Sequence, residues 1–174
     1  MYETRLRGDF LKVLGVDPGL AITGFAVVEE LNAKNIPLTY GCIRTTPKEE
    51  HYNRLATLYD DIITIIEKYQ PEVAAVEKLF FNKNVATALK VGEARGVVLL
   101  AISKANIPIF EYTPLQVKQS LVGYGRADKK QIQYMVKAEF NLEEAPTPDD
   151  VSDACAIALT HIRSKKYLNM MRKY

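Results

Sequence analysis

Apolar and polar positions change period along this chain, from that of strands to that of helices. Lys12 to Asp17 (KVLGVD) is a short apolar run closed by an acid and by Pro18-Gly19, which predicts a buried strand and a turn. Thr23 to Glu30 (TGFAVVEE) and Leu38 to Thr45 (LTYGCIRT) predict two more strands, and the short links favour antiparallel hairpins. From Asn53 to Tyr69 the apolar residues Leu55, Leu58, Ile62, Ile65 and Ile66 recur at helical spacing until Pro71 stops the helix. Val73 to Glu77 (VAAVE) is another short buried strand ending on an acid. A long helix over Val85 to Ala105, with Ala and Leu on several sides, leads to a last strand over Ile109 to Tyr112.

The remainder predicts helices. Pro114 opens a short one, GYGRADKK is a glycine-broken basic loop, and Gln131 to Phe140 is a second. The final helix is expected from Thr147, as N-cap, with Pro148 in its first turn, to about Leu168. Three strands, helix, strand, helix, strand and then helices make an α/β class with a five-stranded mixed sheet flanked by helices. One domain over 1–174 is expected, with residues 1–10 an N-terminal extension, flexible by default, and 165–174 a basic tail.

Composition narrows the class. The chain has 174 residues, 48% of them hydrophobic and 25% charged, which suits a single globular core. Its two cysteines, Cys42 and Cys155, are too few for a disulfide framework or a zinc site, and point to a reducing, cytoplasmic setting. The N-terminus, MYETRLRGDF, has no apolar core of signal-peptide length, and no window approaches a membrane span. Charge is segregated: residues 81–140 hold 9 Lys/Arg against 4 Asp/Glu, and residues 141–160 hold 0 against 5. Blocks of opposite sign suit a surface for a polyanion beside a site for cations, although solvated helix faces produce the same pattern.

The candidate chemistry is carboxylate chemistry. Asp17 and Glu77 end two strands, at the sheet edge where open α/β folds bind ligands. Asp150 and Asp153 are three apart, about 60° on the helical wheel, flanking an apolar stripe of Val151, Ala154, Cys155, Ala158, Leu159 and Ile162. Each of the first three also has an ordinary structural role open to it: Asp17 as a turn residue, Glu77 as an exposed strand end, Asp150, like Asp149, as a first-turn charge. Four carboxylates that converge would repel and raise one another's pKa, and oxygen-only ligands suit Mg²⁺ or Mn²⁺. A pair of such ions can clamp the attacking and leaving oxygens of a phosphodiester.

The runs GVDPGLAITGFAVV, GCIRT, VEKLFFNKNVATALKVGEARG, FEYTPLQVKQSLVGYGRADKKQIQYMV and PDDVSDACAIALTH, in this order over Val13 to His161, resemble the RuvC family of Holliday junction resolvases. The resemblance implies a ribonuclease-H-like fold, a homodimer, and an Mg²⁺-dependent endonuclease that resolves four-way DNA junctions by two symmetric nicks. It implies two ions per site, with Mn²⁺ as a substitute, and RuvA and RuvB branch-migration proteins as partners. Asp17, Glu77, Asp150 and Asp153 match the catalytic, metal-holding carboxylates, with Asp17 expected to bridge the two ions. Some relatives have histidine at one of the last two positions. Phe80 matches an aromatic that stacks on bases near the crossover, and Lys118 and Lys129 match basic residues that serve DNA binding and catalysis. Lys83, Arg95, Arg126 and Lys130 complete the expected DNA-binding set. The Phe80 loop and the N-terminal part of the Val85 to Ala105 helix are expected to build the dimer interface, which a two-fold symmetric junction favours. Other readings are a ribonuclease-H-like nuclease for other branched DNA or RNA, and a junction-binding module without catalysis. A two-lobed kinase-like ATPase would need a longer chain.

Overall fold

The computed structural model describes residues 10–78 and 85–171. The N-terminal extension (but for Phe10), Phe80, Lys83 and the last three residues of the basic tail lie outside them. The elements run β1 (Phe10–Asp17), β2 (Ile22–Leu31), β3 (Lys34–Arg44), α1 (His51–Tyr69), β4 (Val73–Glu77), α2 (Val85–Lys104), β5 (Ile109–Tyr112), α3 (Pro114–Val122), α4 (Lys129–Glu139) and α5 (Asp149–Met171). The strands form the expected five-stranded mixed sheet, in the order β3-β2-β1-β4-β5. β1 pairs antiparallel with β2, and β2 with β3, while β4 and β5 run parallel to β1.

Strand periodicity builds two cores. Leu11 and Val13 of β1, with Ala26 and Val28 of β2 and Ala75 of β4, point to one face, which α3, α4 and α5 cover. Leu14, Val16, Val27, Ala74 and Val76 point to the other, under α1 and α2. Asp17 and Glu77 continue the first parity, so both emerge on the α5 face. The flat approach of α5 needs glycine beneath it: a Cβ at Gly15 would lie 2.2 Å from the Ala154 carbonyl oxygen.

Several boundaries differ from the sequence pattern, each for a local reason. β3 begins at Lys34, not Leu38, because the β2–β3 link is a two-residue turn through Asn32 and Ala33, with φ of 52° and 63°. Pro37 is accommodated on this edge strand at an irregularity opposite Val27 and Val28. α4 begins at Lys129, not Gln131: Asp128 caps the Gln131 amide while the Gln131 side chain returns to the Asp128 amide. α5 begins at Asp149, one residue later than expected: Pro148 precedes the helix and its carbonyl accepts from the Val151 amide at 2.9 Å. Its burial is also wider than a stripe. From Val151 to Ile162 every residue but Asp153 is buried, because the sheet and α3 and α4 enclose the helix.

Candidate active site

Asp17 and Glu77 each stand one residue past the paired Val16 and Val76, at the same end of two adjacent parallel strands. The turn after Asp17 is pinned from β2. The Thr23 hydroxyl donates to the Gly19 carbonyl and accepts from the Gly19 amide, and Thr45 donates to the Leu20 carbonyl. Across the sheet Asp17 pairs with Gly24, over which the first turn of α5 lies, bringing Asp150 and Asp153 down onto the strand ends.

The electrostatics show how closely these groups meet. Burial, joined by the negative charges of Glu77, Asp153 and Asp150, pushes the Asp17 carboxyl up to about 8. A hydrogen bond joins Asp17 to Glu77 and favours the proton on Asp17. Burial also raises Glu77, with Asp153 adding to the shift, while the bond from Asp17 and the ammonium of Lys129 oppose it. Asp153 is raised by burial, opposed mainly by Lys129 and also by Lys118, with Asp149 and Asp150 adding to the rise.

Beside the carboxylates is an open cavity of about 240 Å³, lined by Glu77, Asp153, Lys118 and Lys129 and floored by Val117, Ile132 and Ile157. Lys118 stands on α3, whose start is fixed by Thr113 and Gln116 in a reciprocal cap with Pro114 between them. Acid and base therefore converge in one pocket from four elements, β4, α3, α4 and α5. An all-oxygen, anionic donor set of this kind suits a hard divalent cation. As the side chains stand, however, no three His, Cys, Asp or Glu among the described residues form a group that could hold a metal ion. Asp17 and Glu77 are hydrogen-bonded to one another, with Lys129 easing the charge on Glu77 from the side.

The remaining sequence candidates have different settings. Lys129 and Lys130, expected in a loop, form the first turn of α4 and diverge. Lys129 enters the carboxylate pocket, whereas Lys130 faces a second groove with Gln131, Tyr134 and Met135. Arg126 is exposed on the preceding loop. Arg95 is not presented as a free cation: it donates to the Glu77 carbonyl at 3.2 Å and pairs with Glu111, with its side chain 18% exposed. It braces the end of β4 from α2. Sequence reasoning gave no role to Thr23 or Gly24 and left Asp149 as a helix-end charge. The TG after the acidic strand was the available signal for the first two.

The family model described as crossover junction endodeoxyribonuclease RuvC matches residues 13–161. A relative of that name from Halothermothrix orenii is 58% identical over 149 residues, 86% of this chain and 90% of the relative. Another from Desulforamulus reducens is 54% identical over 149 residues, 86% and 91% of the two chains. Thermus thermophilus RuvC in complex with a Holliday junction substrate superposes with a TM-score of 0.86 at 37% identity, over 90% of this chain and 96% of that one. The yeast mitochondrial Holliday junction resolvase Ydc2, at 18% identity and a TM-score of 0.70 over 92% of this chain and 83% of its own, shares the fold.

Proposed function

Because this chain belongs to the RuvC family of crossover junction endodeoxyribonucleases, we propose that it resolves four-way DNA junctions by paired, Mg²⁺-dependent nicks. The observation that supports this most is the gathering of Asp17, Glu77, Asp150 and Asp153, with Asp17 pushed up to about 8. Half-buried acids that repel one another cost stability, and a bound cation relieves that cost. Asp17 and Glu77, with Asp150 and Asp153 from α5, are the residues that would hold Mg²⁺, or Mn²⁺ in its place. When bound, two such ions activate water and neutralise charge on the phosphodiester.

The chain's own residues supply the rest. Lys118 and Lys129, at the rim of the same pocket, hold phosphate oxygens as point charges and keep the DNA backbone against the carboxylates. Lys130, which faces the second groove, and the exposed Arg126 add further phosphate contacts, and family resemblance adds Lys83 and a stacking role for Phe80. Arg95 keeps Glu77 in place.

A homodimer would present two such sites to the two-fold symmetric junction. The outer side of α2 supports it: Leu89 and Leu100 are 64% and 54% exposed, and Gly92 and Gly96 have open space above them, on a helix whose inner side is buried through Ala94, Val98 and Ala101. RuvA and RuvB are the partners that family membership suggests. Among the described residues no helix is long and apolar enough to cross a membrane, and two free thiols, Cys42 and Cys155, suit the cytoplasm.

The test is a substrate panel. The purified chain is incubated with end-labelled four-way junction, linear duplex and flap DNA, in Mg²⁺ or EDTA. Symmetric nicks confined to the junction and to Mg²⁺ are expected. Equal cutting of flap or duplex would favour a general branched-DNA nuclease, and junction binding without nicks would favour a non-catalytic module.

A further inference from the structure

Asp149, the first residue of α5, is held by two side chains of α4. Lys129 Nζ donates to its Oδ2 at 3.2 Å and Gln133 Nε2 donates to its Oδ1 at 2.9 Å. Lys129 and Gln133 are four residues apart and so lie one above the other on the same side of α4. One carboxylate thus ties the first turn of α5 to two successive turns of α4. Both of its oxygens are occupied as acceptors, which distinguishes Asp149 from Asp150 and Asp153 beside it.

The consequence falls on Lys129. Its side chain is 68% exposed and that of Asp149 is 54% exposed, and an ion pair so open to water adds little to stability. A lysine there has a flexible four-carbon stem and many rotamers to occupy. What the contact does is select among them. The selected one places the ammonium at the rim of the pocket, close enough to Asp153 and Glu77 to oppose the rise of both carboxyls. Gln133 holds the other oxygen of Asp149 at the same time.

We propose that Asp149, braced by Gln133, is a positioning residue that holds the Lys129 ammonium over the carboxylate pocket, where a phosphate of the bound strand would meet it. This rests on the nuclease reading above. Asp149 does not touch the substrate in this scheme; it shortens the search of Lys129 for the phosphate and so acts on the rate of cutting rather than on the affinity for DNA.

The test is a double-mutant cycle on the full chain, read as single-turnover cleavage of a four-way junction in Mg²⁺ and, separately, as junction affinity in EDTA. Asp149→Ala is expected to slow cleavage about tenfold, equivalent to about 1.4 kcal/mol, while affinity stays within about twofold. In a Lys129→Ala background, Asp149→Ala is expected to have no further effect. Asp149→Asn, which still accepts a hydrogen bond, is expected to recover part of the loss. Gln133→Ala, on the other helix, is expected to shift the rate in the same direction by less, and serves as the test if Asp149→Ala lowers the folded fraction. Losses that multiply in the double variant, or wild-type cleavage by both Asp149→Ala and Gln133→Ala, overturn the inference. A parent protein that cuts no junction overturns the nuclease reading itself, so the two failures are distinguishable.

Discussion

A methyl group at Gly24 would stand 1.8 Å from the carbonyl oxygen of Asp150. Gly24 is the partner of Asp17 across β1 and β2, so the same residue sets the height of α5 above the strand that bears Asp17. Only glycine permits that approach, since the obstacle is backbone and cannot rotate away.

Gly24→Ala is therefore expected to lift the first turn of α5 and move Asp150 and Asp153 away from Asp17. A displacement of about 1 Å in such a site costs on the order of 100-fold in rate, and junction cleavage is expected to fall by that amount while junction binding persists. Gly41→Ala is the control. Its methyl would meet only the ring edge of Phe25, at 3.2 Å, and activity within about twofold of the parent is expected. Equal losses in both variants would show that Gly24 has no special part.

Asp17 gives a second prediction, on stability. Its pKa is raised from 3.8 to about 8 on folding, so the stability linked to this group is present below pH 3.8 and is lost as pH rises through about 8. Asp17→Asn removes the ionisable group. In EDTA at pH 9 the variant is expected to melt higher than the parent, by about 2–4 °C for each kcal/mol gained, with the advantage vanishing in acid. Mg²⁺ is expected to raise the melting temperature of the parent but not of the variant. A variant that melts below the parent at pH 9 contradicts the account of mutual repulsion.

His161 gives the opposite sign. It is 5% exposed, its Nδ1 lies 2.8 Å from the Tyr112 hydroxyl, and the Phe110 ring is tilted against it with centroids 4.4 Å apart. Burial, helped by the charge of Lys165, lowers it from 6.5 to about 4. A lowered histidine contributes stability above pH 6.5 that is lost as pH falls through about 4. Denaturant melts of the parent are expected to lose a few kcal/mol over that window, and those of His161→Gln to lose less. Parallel curves for the two proteins would exclude the assignment.

Phosphate contact by Lys118 is tested by salt. Each phosphate neutralised steepens the logarithmic dependence of affinity on salt by about 0.9. Lys118→Ala is expected to reduce the slope by about that much in EDTA, and an unchanged slope would place this lysine away from the DNA backbone.

The dimer is tested at Leu89, 64% exposed on α2. Leu89→Glu would bury a charge in the proposed interface. It is expected to sediment as a monomer where the parent sediments as a dimer, and a parent that is itself monomeric at working concentration would remove the interface.

Much of this fold was legible because period and punctuation agree. β4 begins and ends where VAAVE does, and Pro114 marks the start of α3. The two strand-end acids were legible for the same reason, as an apolar run that stops on a carboxylate is easily seen. What was missed depends on partners distant in the chain. The start of β3 was hidden by Pro37, tolerated only because β3 is an edge strand. The start of α4 was legible in principle from Asp128 and Gln131, a capping pair obscured by the glycines and basic residues around it. That Arg95 braces β4, and that Asp149 holds Lys129, follow from which helices pack together, and no local pattern encodes that.

Junction cutting by Asp17→Asn tests the central claim most directly. Labelled four-way junction is bound and incubated in Mg²⁺ with the variant and with the parent protein. Binding equal to the parent with no detectable nicks is predicted. Nicks at the parent's rate and positions would contradict it, because the half-buried carboxyl at the centre of the cluster would then have no part in the reaction.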